Sequence, residues 1–258
     1  MLESTCRINI QIQDKSNKTI EFKAGKADNK DTYMRNTKAI LRQVLFFSLA
    51  SAIVQAQTVK DIDGHVYNTV TIGTQVWMAE NLKTTKYNDS TDIQLILDNK
   101  VWKALFTPAY FWYDNDETAN KNTYGALYNW YAVSTNILCP AGWHIPDYAE
   151  WTTMIKKLRG GERVAGGKLK ETGTTHWRSP NKRATNSSGF TALPGGFRDS
   201  SGKFHDIGIF GGWWSNTETS AAKACYRGLL HDHGTAGSGE SHKPDGFSVR
   251  CLRNYCAP

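Results

Sequence analysis

The sequence predicts one α+β domain of about 200 residues, built from short antiparallel strands, a few helices and long loops. Three observations point there. The chain of 258 residues holds 22 Gly, nine Trp, eleven Tyr and ten Phe. Gly and aromatic residues together suit twisted strands and tight turns more than helices. Short alternating apolar runs recur between turn residues, whereas helical spacing occurs in two places. No repeat with a period of roughly 20–50 residues divides the region after residue 57.

The elements follow in order. Residues 57–83 read as an antiparallel meander. Asp63-Gly64 is a hairpin turn, Val66, Val70 and Ile72 mark a strand, Gly73-Thr74 is a second turn, and Gln75-Val76-Trp77-Met78 returns. Residues 84–123 open with Thr, Asn and Asp and close on Tyr110-Phe111-Trp112-Tyr113, a surface excursion ending in a strand. A helix is expected over 124–133, where Leu127, Trp130 and Tyr131 share a face. Residues 138–146 are an extended link. Asp147 is an N-cap with Glu150 three residues later, a capping box. Trp151, Met154, Ile155 and Leu158 lie on one side of that second helix, and Gly160-Gly161 ends it. After Gly167 the chain is loop-rich, with strands expected at 190–197, 212–215, 224–230 and 247–252.

Ahead of this domain lies an export signal. From Met34 the chain reads MRNTKAILRQVLFFSLASAIVQAQ. Arg35, Lys38 and Arg42 form a positive segment, residues 44–54 an apolar core, and Val54-Gln55-Ala56 a cleavage site that leaves Gln57 as the new N-terminus. The apolar core is too short to span a bilayer, which takes about 20 residues. Residues 34–56 are therefore read as a signal peptide and 57–258 as the mature domain, with no transmembrane anchor in that mature form. Residues 1–33, polar with an alternation at Ile8, Ile10 and Ile12, are read as an upstream extension from a misassigned start. A genuine extension with an internal anchor is the alternative.

Charge narrows the partners. The net charge is +7. Residues 1–56 hold nine Lys/Arg and five Asp/Glu, leaving 22 and 19 in residues 57–258, a net of +3. No run of five basic residues occurs, so nucleic acid is not the expected partner. Of the five cysteines, Cys6 precedes the signal, and Cys139, Cys225, Cys251 and Cys256 follow it. Export makes disulfides chemically reasonable, and four cysteines allow three pairings. A bridge between Cys139 and Cys251 would close a loop of over a hundred residues. Cys225 and Cys256 could pair or stay free. No C-x-x-C motif occurs.

Three residue sets invite chemistry, and each has a plainer reading. Asp114, Asp116 and Asn120, with Asn122, offer hard oxygen donors suited to Ca²⁺. The loop lacks the central Gly and terminal Glu of an EF-hand, and the plainer reading is a polar turn entering a helix. His231-Asp232-His233, with His242, could ligate a transition metal; a solvated loop is the plainer reading. Trp112, Trp177, Trp213 and Trp214, with Trp102, are candidates for stacking on sugar rings if exposed, and core residues if not. Trp77, Trp130, Trp143 and Trp151 are assigned to the core. Catalytic motifs (G-x-S-x-G, H-E-x-x-H, a Walker loop, G-x-G-x-x-G) are absent.

Several segments together resemble the Fibrobacter succinogenes major paralogous domain family: VTIGTQVWMAENLKTTKYND, YGALYNWYAV, LCPAGWHIPDYAEW, GFTALPGGFR, WWSNTE and GFSVRCLR, in that order across most of residues 60–253. The resemblance implies a C-type-lectin-like fold, related to the formylglycine-generating enzyme. Such a fold has two helices packed on small antiparallel sheets, long loops and neighbouring chain ends. It implies export by a Gram-negative bacterium, often to the cell surface. It also favours Cys139 and Cys251 as a disulfide, since they match the family's CPAGW and SVRC positions; Cys225 and Cys256 depart from the pattern. The reading adopted is a non-catalytic surface or periplasmic binding module for carbohydrate or another surface macromolecule, such as a cell-surface protein. The alternatives are a protein-binding scaffold and a degenerate oxidase of the formylglycine-generating type. The oxidase would need a reactive cysteine pair, whereas Cys225 stands alone near the expected strand.

Overall fold

Asp61 and Gly73 set up the first two turns. The Asp61 carboxylate accepts hydrogen bonds from the His65 amide (2.8 Å) and the Tyr67 hydroxyl (2.5 Å), fixing the first turn. Gly73 takes φ +67, a left-handed value that glycine adopts at little cost. These turns join β1 (Thr58–Lys60), β2 (Val66–Ile72) and β3 (Gln75–Met78), as expected from the alternation. The computed structural model describes residues 57–255 and two upstream strands, Gln11–Gln13 and Thr19–Glu21. The chain divides into two compact units, Met1–Gln55 and Ala56–Pro258. In the first, the two strands pair antiparallel with Ile12 opposite Ile20. The apolar core at 44–54, the cleavage site, Cys6 and Cys256 lie outside the described residues. Among the described residues no helix is long and apolar enough to cross a membrane.

The excursion after β3 contains β4 (Gln94–Leu95) and α1 (Asn99–Lys103), whose N-terminus is capped by the Asp98 carboxylate. It ends in β5 (Ala109–Phe111), as the aromatic run predicts. The expected helix over 124–133 is a correction. The chain forms α2 (Glu117–Tyr124), then β6 (Leu127–Asn129), then α3 (Trp130–Val133). Gly125 at φ +74 stops α2, and a Cβ there would meet the Leu82 carbonyl oxygen at 2.7 Å. Asn129 starts α3 as its N-cap, accepting from the Ala132 amide. Between these two punctuation marks the chain runs as a buried strand instead of winding into a helix: Leu127 and Tyr128 pair with β5, and Tyr128 and Asn129 pair with Phe247 and Gly246 on the other side.

β7 (Trp143–His144) leads to α4 (Tyr148–Lys157), where both halves of the Asp147–Glu150 capping box are present. The next helix, α5 (Glu162–Leu169), has no counterpart among the sequence expectations. The remaining strands are β8 (Gly195–Arg198), β9 (Phe204–Ile207), β10 (Phe210–Glu218), β11 (Lys223–Leu230), β12 (Ala236–His242), β13 (Gly246–Phe247) and β14 (Leu252–Arg253). The expected strand at 247–252 is split. Its start joins one sheet as β13, its end joins the other as β14, and the chain crosses between them.

Two sheets result, so the domain is α+β and sheet-rich. A nine-stranded sheet runs β12-β11-β10-β8-β13-β6-β5-β4, with β9 paired to β8. A five-stranded sheet runs β1-β2-β3-β14-β7. Cys139 and Cys251 form a disulfide, with Cα atoms 6.0 Å apart across 112 residues of sequence. It fastens the segment before β7 to the segment before β14, neighbours in the smaller sheet.

Three cations inside the domain hold loops in place. Arg250 donates to the carbonyls of Phe190 and Thr191 and to the Asn81 side chain, with its guanidinium 4.1 Å from the Phe190 ring centroid. Arg198 donates to the carbonyls of Ile96 and Gly202 and lies 4.5 Å from the Trp102 ring centroid. Lys170 donates to the carbonyls of Lys182, Leu230 and His233 at 3.0, 2.9 and 2.8 Å. All three are buried. None forms an ion pair among the described residues, so carbonyl dipoles and aromatic faces replace water around each charge.

Candidate functional site

The tryptophans proposed for sugar stacking are inside the protein. Trp112, Trp177, Trp213 and Trp214 are each no more than 1% exposed, and Trp102 is fully buried. Three of the indoles are tied down: Trp177 donates to the Ala192 carbonyl, Trp213 to the Asn81 side chain and Trp214 to the Tyr128 carbonyl, each at 2.8 Å. They present no face to a ligand, and the stacking assignment is corrected to a core role. Trp143, assigned to the core, is half-buried, while Trp77, Trp130 and Trp151 are buried as expected.

The oxygen-rich segment is the turn into a helix. Asp116 caps α2 by accepting from the Ala119 amide at 2.9 Å. The Asn120 amide is buried and donates to the Tyr113 carbonyl at 2.9 Å. Asp114 sits in the preceding turn at φ +50. Local capping therefore engages Asp116 and Asn120, which the calcium reading had placed around a cation. His231 and His233 lie in a turn after β11; His233 contacts the Asp232 carboxylate and His231 the Ser179 carbonyl. Among the described residues no group of three or more His, Cys, Asp or Glu is placed to hold a metal ion.

A shallow groove forms beside this turn, where the end of β11 meets the loop after α5. It consists of two hollows of about 290 Å³ each that share His233 and Thr235. One hollow is bordered by three cations, Arg163, Lys182 and Arg183, and one acid, Asp232; the other is bordered by Phe210, Tyr226 and Leu230. One end is thus cationic and the other aromatic.

The local sequence explains how these walls meet. Lys170 follows α5, and its ammonium joins the Lys182 carbonyl on one loop to the Leu230 and His233 carbonyls on the facing turn. Burial pushes the Lys170 ammonium down to about 8, so it is still charged at neutral pH. Gly166 and Gly167 let the same two segments touch the helix. A Cβ on Gly166 would lie 2.4 Å from the Thr235 carbonyl oxygen, and one on Gly167 would lie 2.2 Å from that of Arg183.

The aromatic wall is equally constrained. His205, Phe197, Phe247 and Tyr226 form a column of stacked rings, with successive centroids 5.0, 5.5 and 4.9 Å apart. Phe210 packs edge-on against Phe197, Phe247 and Tyr226. Phe247 is buried at the centre, whereas Phe197, Phe210 and Tyr226 are half-buried. Glycines make this face possible: a Cβ on Gly228 would collide with Phe210, and one on Gly239 with Tyr226. Offset and edge-on ring pairs favour such packing.

The Fibrobacter succinogenes major domain model matches residues 70–253. The chain belongs to this family. Comparison with curated proteins and with solved structures gives no match. In this Fibrobacter succinogenes major domain, every residue bordering the groove lies within the matched span. Of those residues only Asp232 and His233 were selected from the sequence, and then as metal ligands; the cationic and aromatic walls were not. The available clues were the cations Arg163, Lys182 and Arg183, the glycines spaced among aromatics in 210–228, and the glycines of the facing strand in 236–242.

Proposed function

We propose that this domain is a non-catalytic binding module of the cell exterior, exported through residues 34–56, and that it holds a saccharide in the groove. The observation that carries this is the half-buried aromatic wall of Phe210 and Tyr226, kept open by Gly228 and Gly237 and continuous with charged side chains. Ring faces for the apolar side of a sugar, beside a few convergent polar groups, are the usual composition of such a site. We read the architecture as C-type-lectin-like. That reading is supported by helices beside antiparallel sheets and by neighbouring domain ends, where Arg253 donates to the Gln57 side chain at 2.9 Å. An oxidase role is disfavoured because burial pushes the Cys225 thiol up, away from the reactive thiolate. Phe210→Ala and Tyr226→Ala should each weaken binding to a panel of polysaccharides at least tenfold, with the melting temperature lowered by the lost ring packing but a cooperative unfolding transition retained. Affinity that survives both substitutions would remove the groove from consideration.

A second reading is favoured by a different surface. Leu95, Leu97, Val101 and Phe106 are exposed around β4 and α1, Phe106 at 72%. An apolar patch of this kind suits a protein partner.

A further inference from the structure

Resting on the saccharide-binding reading, we infer that the ligand is an anionic saccharide. Its carboxylate or sulfate sits among Arg163, Lys182 and Arg183, and its ring lies against Phe210 and Tyr226. The charge inventory around the groove is the basis. Two acids lie beside the cationic end: Glu162 is paired with another residue, and Asp232 borders the hollow itself, which leaves three cations there against one carboxylate. Glu162 accepts from the Arg227 guanidinium at 2.9 Å, and Asp232 contacts the His233 ring at 2.5 Å. Arg163, Lys182 and Arg183 are exposed and form no ion pair among the described residues. Lys170 adds a fourth positive charge behind the wall, its ammonium held by three carbonyls with the Asp232 carboxylate near enough to favour the charged form.

Like charges gathered at one hollow repel one another, and an anion entering relieves that repulsion while gaining charge-assisted hydrogen bonds. The walls cannot drift apart to relieve it themselves. The Lys170 ammonium joins them, and Gly166 and Gly167 hold the helix in direct contact with both. The neighbouring aromatic wall favours an anion attached to a ring over a free inorganic ion. A nucleic acid fits less well, because residues 57–258 carry a net charge of only +3 and no extended basic track.

The test titrates the full chain with polygalacturonate, dextran sulfate, neutral dextran and single-stranded oligothymidylate, at about 20 mM salt where screening is weak. At least one acidic polysaccharide should bind tenfold or more tightly than neutral dextran, and the stronger of the two identifies carboxylate or sulfate as the preferred anion. The double variant Lys182→Ala/Arg183→Ala should lose that preference, and Tyr226→Ala should weaken acidic and neutral saccharides alike. Affinity for neutral dextran equal to that for both acidic polysaccharides would overturn the anionic inference and leave the binding reading standing. A folded chain that binds no saccharide would overturn both. Oligothymidylate bound as tightly as the acidic polysaccharides, without dependence on Tyr226, would also overturn the inference by reducing the site to a general polyanion patch.

Discussion

His144 links the end of the domain to the start of its best-defined helix. One ring nitrogen contacts the Asn254 side-chain oxygen at 2.6 Å and the other the Glu150 carboxylate at 2.9 Å. Glu150 also closes the capping box by accepting from the Asp147 amide. The hydrogen bond to Glu150 holds the His144 imidazole above its ordinary 6.5, against the opposing effect of burial. Burial raises the Glu150 carboxyl, but His144 and the Asp147 amide more than offset it and leave it below 4.5. A raised histidine contributes stability that is complete below 6.5 and is lost as pH climbs through its folded value. A lowered carboxylate contributes stability that is complete above 4.5 and is lost as pH falls through its folded value. The pair therefore stabilises most between about pH 4.5 and 6.5. Melting temperatures of the wild type and His144→Gln should differ most in that window and converge toward alkaline pH. A gap independent of pH would show that packing, not ionisation, dominates. The capping residues were legible because Asp and Glu at that spacing satisfy free amides wherever a helix begins. The role of His144 was not, since its partner Asn254 lies 110 residues away.

At the scale of elements, α5 shows why sequence and structure part company. Its sequence, ERVAGGKL, places two glycines inside a short helix. Each costs about 1 kcal/mol relative to Ala in a helix interior, which hides the helix from any propensity argument. The reason for them is non-local, since the carbonyls of Thr235 and Arg183 occupy the space a Cβ would need. Gly167→Ala thus sets two effects against each other. Helix propensity alone would stabilise by about 1 kcal/mol, whereas overpacking against a backbone carbonyl costs about 1–3 kcal/mol. Net destabilisation by urea unfolding is expected, together with weaker groove binding. A stabilised variant would mean that the facing loop yields easily. The helix expected over 124–133 failed for a related reason: Leu127, Trp130 and Tyr131 have helical spacing, but strand pairing of Leu127 and Tyr128 with β5 overrides it. The hairpins around Gly64 and Gly73 were legible because their pairing is local.

For the whole molecule, many loops are fixed by a few long-range ties. The Cys139–Cys251 disulfide closes 112 residues of sequence, a constraint on the order of 4–5 kcal/mol in the chain-entropy model. The double variant Cys139→Ala/Cys251→Ala should lose roughly 2–5 kcal/mol in urea unfolding, and reduction of the wild type should reproduce most of that loss. A loss below 1 kcal/mol would indicate that the buried cations and the sheets already restrict the chain. Composition and turn pattern were enough to predict a sheet-rich α+β domain. The site was hidden, because aromatic residues look alike in sequence. Which of them are buried is decided by distant glycines and by cations such as Arg250, joined to Phe190 across 60 residues.

The placement of the domain's two ends has a mechanical consequence. β1 and β14 belong to the same small sheet, and Gln57 touches Arg253. A pull applied through both ends would load that sheet and the disulfide beside β14. Phe210 and Tyr226 stand on strands of the other sheet, outside that line of tension. A chain tethered at both ends could bear strain while its groove keeps its shape.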